Sequence, residues 1–98
     1  MKKIVLSGHL EVPDRDLDAV RRALPGHVEA TRRETGCITF EITEDPAQPG
    51  SFVVYEEFSS WEAFEYHQQR AGDSRWGQVA AASQRHYAIE EITADQDA

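Results

Sequence analysis

The 98-residue sequence predicts a small α+β domain in which helices cover one face of an antiparallel sheet. Three observations lead there. Alternation of period two recurs near residues 3–12, 37–43, 51–58 and 85–92, which marks four strands. Between these segments lie stretches whose apolar residues follow the 3.6-residue period of a helix. Turn-forming residues such as Pro13, Gly36, Pro46, Pro49 and Gly50 stand where one period gives way to the other. The order is strand, helix, strand, strand, helix, short helix, strand, the split strand-helix-strand arrangement of the ferredoxin-like fold.

Residues 3–12 place Ile4, Leu6, Gly8, Leu10 and Val12 on one side and Lys3, Val5, Ser7, His9 and Glu11 on the other. Pro13 ends this strand, and Asp14 is expected to cap a helix whose stripe is Leu17, Val20, Leu24, Val28 and Thr31. Pro25-Gly26 is expected to kink or split the helix, because Pro25 lacks a donor and clashes with the preceding turn. Gly36 reads as its C-terminal cap. The second strand, about Cys37 to Thr43, sets Ile38, Phe40 and Ile42 against Cys37, Thr39, Glu41 and Thr43. A turn-rich loop over residues 44–50 joins it to a third strand, Ser51 to Phe58, as an antiparallel hairpin. Ser59 and Glu62 have capping-box spacing, which starts a helix near Ser60 and runs it to about Ala71. Ser74 to Ser83 is a further short helix with Trp76, Val79 and Ala80 inward, and Arg85 to Ile92 is the last strand. The expectation is one domain over residues 1–93 and a disordered C-terminal tail over 94–98.

Such a sheet has a second face. Val5, Val53, Tyr55 and Ile89 make the opposite phase apolar enough that a two-fold homodimer, sheet against sheet, is the economical cover. A formal charge of -8 repels phosphate backbones and anionic lipid, so nucleic acid and membrane surfaces are not expected partners. A single Cys leaves no intrachain disulfide and no Cys-rich metal site. No run of about 18 apolar residues occurs and the first residues lack the pattern of a signal peptide, which makes the cytoplasm the expected location.

Chemistry concentrates between Tyr55 and His67, where a strand turns into a helix carrying acidic, aromatic and imidazole groups. His67 shares a helical face with Phe64 and Ala71. An imidazole at the edge of an apolar cavity can take a proton from a phenol or enol, and burial favours its neutral, basic form; the plainer reading is a core-edge histidine bonded to a carbonyl or carboxylate. Glu57 follows the phase of Tyr55 and Val53, Glu56 that of Val54 and Phe58, and alternation alone does not say which faces the helices. Trp61 can stack on a flat ligand or anchor the core, and Phe40, Phe64, Tyr66 and Trp76 pose the same choice. His9, His27, His67 and His86 have no defensible metal-ligand spacing, and Cys37 reads as a small packing residue.

The stretches Thr31-Arg32-Arg33-Glu34-Thr35-Gly36-Cys37-Ile38, Phe52-Val53-Val54-Tyr55-Glu56-Glu57-Phe58 and Trp61-Glu62-Ala63-Phe64 leading to His67 resemble the antibiotic biosynthesis monooxygenase family. With the strand order, the resemblance covers Lys2 to about Ile92. It implies a dimeric α/β barrel and a monooxygenase acting without metal, flavin or other cofactor on a small electron-rich aromatic, a quinol or polyphenol. It places His67 at the family's conserved histidine, Glu57 at a conserved acidic position, Trp61 at the aromatic position past the third strand, and Glu34 at the acidic position before Gly36-Cys37. The expected site is therefore His67 and Glu57 as acid-base groups, with Trp61, Phe64, Tyr55, Phe40 and Trp76 around the substrate. Two other readings stand beside it: an isomerase or tautomerase that shuttles a proton, and a non-enzymatic dimer that binds a small metabolite. The haem-degrading branch of the superfamily relies on an Asn, and this sequence has none.

Overall fold

The computed structural model describes residues 2–93, and the expected tail over 94–98 lies outside them. The elements are β1 (Lys2–Glu11), α1 (Asp14–Arg32), β2 (Cys37–Glu44), β3 (Ser51–Phe58), α2 (Trp61–Gly72), α3 (Arg75–Val79) and β4 (Gln84–Thr93). All neighbouring strands are antiparallel, in the order β2-β3-β1-β4. The ferredoxin-like expectation holds, with the helices on one face.

The core is the layer between helices and sheet. Ile4, Leu6 and Leu10 of β1, Phe40 of β2, and Phe52, Val54 and Phe58 of β3 point into it and meet Val20, Phe64, Trp76 and Ala80. Full burial of each large apolar side chain contributes about 1.5–3 kcal/mol, and the most deeply buried ones, Ile4, Leu6, Leu10, Val20, Phe40, Phe52, Val54 and Phe58, all lie in this layer.

Four local expectations change. Pro25 lies inside an uninterrupted α1, so the helix is not split there. Pro25 and Gly26 are both on the solvent side of the helix, so water can satisfy the carbonyl that proline leaves unpaired. The N-cap of α1 is Pro13 with no side-chain cap bond, and Asp14 and Asp16 stand in the first turn, where carboxylates favour the helix dipole. The N-cap of α2 is Ser60, whose hydroxyl accepts from the Ala63 N–H at 3.0 Å, so the cap lies one residue beyond the Ser59 that the spacing suggested. Gly36 is no cap, because α1 ends at Arg32 with Arg33 as its C-cap. A Cβ at Gly36 would lie 2.2 Å from the Ala63 Cβ, so glycine here lets α2 approach the start of β2.

Two features of the sheet were not legible as alternation. The register shifts between Cys37 and Thr39, so Cys37 turns toward the core and Ile38 is half exposed, the reverse of a regular strand. Ile89 pairs with Leu6 and belongs to the helix-side phase, which removes it from the opposite face. That face carries Val5, Ser7, His9, Val53, Tyr55, Glu57, His86 and Ala88. His9 and His86, cross-strand partners, stack with ring centroids 4.8 Å apart.

Gly8 fixes the β1–β4 pairing. Its φ is 148°, and a Cβ would come within 1.9 Å of the His86 carbonyl oxygen. Gly8→Ala is expected to cost roughly 2–3 kcal/mol through backbone strain and overpacking, read as a lower urea midpoint; an unchanged midpoint would contradict this account of the pairing.

Candidate functional site

β4 is an edge strand of the sheet, and almost all of its residues are exposed. A cavity of about 170 Å³ opens between α2, α3 and the β1–β4 pair. His67, Glu56, His27, Trp76, Tyr87 and Arg85 are its chemically capable lining.

His67 is carried by the inward face of α2 and is 2% exposed. Its ring stacks on Phe58, with centroids 5.0 Å apart, and meets Phe40 edge-on at 5.2 Å. Nδ1–H donates to Glu34 Oε2 at 3.3 Å. A carboxylate can only accept there, so the bond assigns the proton to Nδ1 and leaves Nε2 as the basic nitrogen. Burial lowers the His67 pKa, against the pull of Glu34 in the other direction. The resting ring is a neutral base.

Glu34 is itself held. Its side chain is 6% exposed and pairs with Arg70 through Nε. Arg70 Nη2 also donates to Thr31 Oγ1 at 3.1 Å, and that hydroxyl donates to the His27 carbonyl at 2.8 Å. A continuous polar chain therefore ties α1, the loop after it and α2 behind the histidine. Glu34→Gln is expected to keep the fold while weakening the orientation of His67, because an amide can offer its N–H as well as its oxygen to Nδ1. A shift of the His67 imidazole resonances in a proton–nitrogen NMR spectrum checks this, and an unchanged Nδ1–H signal would contradict it.

Glu56 and Glu57 are now separated. Glu56 pairs with Leu6 and Phe40, faces the helices and is 5% exposed; its Oε1 has no hydrogen-bond partner. Burial raises its carboxyl to about 8, with the Glu34 charge adding to the rise. Glu57 lies on the other face, where it accepts from Tyr55 Oη at 2.5 Å, Thr39 Oγ1 at 3.0 Å and Lys3 Nζ at 3.1 Å. The pairing of His67 with Glu57 and Tyr55 is therefore corrected: period-two alternation puts the sheet between them.

The aromatic residues divide in a similar way. Trp76 lines the cavity and stacks on His27, with centroids 4.7 Å apart and rings parallel within 1°. Phe40 backs His67, and Phe64 lies a layer deeper against Phe58. Trp61 is 42% exposed and donates from Nε1 to Glu91 at 2.6 Å, outside the cavity. His27, which the stripe of α1 did not include, is buried, has no partner for Nδ1, and is pushed down to about 3, chiefly by burial. Its spacing from Val20 and Thr31, seven residues after one and four before the other, was the available signal.

These shifts set the pH dependence of stability. His27 lies below its ordinary 6.5, so its contribution is present above pH 6.5 and is lost as pH falls toward 3. Glu56 lies above its ordinary 4.5, so the folded state holds a proton the unfolded chain has released, and stability falls as pH rises from 4.5 to about 8. The two slopes oppose each other up to pH 6.5, leaving Glu56 to act above it. Stability should fall between pH 6.5 and 8 by up to about 1.4 kcal/mol per pH unit. Urea unfolding at both pH values tests this, and a Glu56→Gln protein should lose the slope; equal stabilities in the unsubstituted protein would contradict it.

A wider, shallower groove of about 650 Å³ runs outside the α1–α2 junction along Glu34, Ala63, Tyr66 and Arg70. It lacks the enclosure of the His67 cavity. Among the described residues no group of three or more His, Cys, Asp or Glu side chains is placed to hold a metal ion, and no helix is long and apolar enough to cross a membrane.

Fold and cavity together define a class: small α+β proteins with a buried histidine between the helix layer and an antiparallel sheet. The chain belongs to the antibiotic biosynthesis monooxygenase family, whose sequence model matches residues 4–78. An uncharacterized protein of Synechocystis sp. is 31% identical over 67 residues, covering 67% of this chain and 45% of that protein, so the chain spans less than half of this relative's length. Among solved structures, a Pseudomonas aeruginosa protein aligns with a TM-score of 0.72 at 18% identity, over 98% of this chain and 97% of its own. A Nitrosomonas europaea protein with the same family assignment gives 0.71 at 20% identity, over 96% and 98%. A Mycobacterium tuberculosis protein gives 0.65 at 20%, over 100% and 99%. At these identities the structural likeness concerns the fold.

Proposed function

We propose that the protein is a cofactor-independent monooxygenase acting on a small electron-rich phenol or quinol. The observation that carries this reading is His67: a buried, neutral imidazole, oriented through Nδ1 by Glu34 and lining an aromatic-walled cavity. Family membership supplies the reaction class. The cavity, at about 170 Å³, is smaller than the roughly 300–1,000 Å³ of pockets for drug-sized ligands and close to the roughly 150 Å³ that holds one benzene ring. It favours a single ring over a fused polyphenol.

His67 takes the phenolic proton. The phenolate passes one electron to O₂, and the resulting pair joins at a ring carbon that bears hydrogen, ortho or para to the oxyanion. The peroxide so formed takes up a proton. Loss of the ring hydrogen as a proton and cleavage of the O–O bond then leave a quinone carbonyl and release water. The substrate gives up four electrons, and both oxygen atoms of O₂ are fully reduced. A dry site that stabilises the phenolate is the protein's share of the work.

Two copies are proposed to pack sheet against sheet. Val53 is 56% exposed on the face away from the helices, and Ile92 lies half-exposed in the same phase of β4.

Oxygen uptake with hydroquinone and substituted phenols tests the function. Consumption of O₂ coupled to quinone absorbance supports it, and absence of both with every phenol sinks it. A proton-shuttle isomerase would turn over equally well under argon.

A further inference from the structure

The mechanism above uses only His67, and Glu56 is among the polar groups of the cavity that it leaves idle. Glu56 is 95% withdrawn from solvent, and its Oε1 meets no donor although it lines the cavity. Buried polar atoms are normally satisfied, and one left open beside a cavity points to a partner that arrives with the ligand. Glu56 is also placed beside the base. His67 stacks on Phe58, two residues along β3 from Glu56, and meets Phe40, the cross-strand partner of Glu56.

We infer that Glu56 is a second substrate-contacting catalytic group, meeting an oxygen of the bound ring or of its oxygen adduct from the sheet side while His67 works from the helix side. The inference rests on the proposed oxygenase reading and assigns it an acid. The groups that face this carboxyl are His27 from α1, Glu34 from the loop after α1, Cys37 from β2, His67 from α2, and Arg85 and Tyr87 from β4. Leu6 and Phe40, its ladder partners, are apolar. Glu34 is the nearby anion, and its charge adds to burial in disfavouring a negative charge on Glu56. Arg85 is exposed at the mouth, its guanidinium donating to the Ser83 and Ala80 carbonyls. In the resting protein near neutral pH the carboxyl is thus a neutral acid.

This supplies the proton that the last step requires. When the O–O bond breaks, Glu56 gives its proton to the departing hydroxide, which leaves as water. His67, neutral again after protonating the peroxide, accepts the ring proton. Transfer of that proton from His67 to the Glu56 carboxylate restores both groups, and no outside reductant enters.

The test uses the full chain and the isosteric Glu56→Gln variant, with a second readout that does not need turnover. For oxygen-coupled oxidation of hydroquinone, Glu56→Gln should lower kcat about 100-fold or more with little change in KM, since the amide still donates a hydrogen bond but no proton. The alkaline fall of the unsubstituted protein's rate near pH 8 should disappear. A variant with unchanged kcat and an unchanged pH profile would overturn the inference. Under argon, hydroquinone binding followed by tryptophan fluorescence should weaken through pH 8 in the unsubstituted protein and stay flat in Glu56→Gln. If the protein consumes no O₂ but this difference in binding persists, the oxygenase reading fails and the contact between Glu56 and ligand stands. Identical pH dependence of binding in the two proteins would remove the contact itself.

Discussion

Replacing His67 with alanine is expected to lower turnover of a quinol about 100- to 10,000-fold, the range over which a positioned general base acts. The loss should fall on kcat more than on KM, because in the proposed mechanism the imidazole acts on the proton while the cavity walls that would hold the ring remain. The side chain is also packed against Phe58 and Phe40, so unfolding must be measured on the same preparation. His67→Gln fills more of the space and cannot act as a base near neutral pH. Both variants inactive with the Gln form still folded is the predicted outcome, and a His67→Gln protein with undiminished kcat would remove the histidine from the mechanism.

Phe58→Ala is expected to have the largest effect on stability, about 3–5 kcal/mol. Phe58 is fully buried where β3 meets α2, between Phe64 and the His67 ring. A small domain has a total stability of about 5–15 kcal/mol, so this one change brings it close to the threshold. The same truncation removes the platform under the imidazole. Urea unfolding should show a much lower midpoint, and turnover measured well below that midpoint should fall as well. Full stability would mean that the neighbouring rings collapse into the space, and full activity that His67 is held by Glu34 alone.

The strand order, the antiparallel hairpin and most of the core residues could be read from the period of the hydrophobic pattern, because burial on one face imposes that period. Ile38 and Cys37 escaped it, since a bulge adds one residue and reverses the facing of what precedes it. Pro25 does not split α1 for a related reason: its cost in a helix depends on whether the freed carbonyl reaches water, which is a property of the packed helix. At the site, His67 was legible from its helical face and from the family pattern. Its partner was not, because Glu34 comes from a loop whose path α1 alone does not determine. Glu57 seemed equivalent to Glu56 until the register with Leu6 and Phe40 fixed which of two adjacent carboxyls turns inward. Tyr55 followed Glu57 to the other face, and Trp61 turned out toward Glu91 at the first turn of α2.

In the proposed reaction the cavity beside His67 brings O₂ to a phenolate without an added cofactor. Incubation of the purified protein with hydroquinone under ¹⁸O₂, followed by mass spectrometry of the product, tests it most directly. The expected product is a hydroxyquinone carrying one labelled oxygen, absent in the His67→Ala protein and absent under argon. Product formed without oxygen, or a quinone with no label, would contradict it.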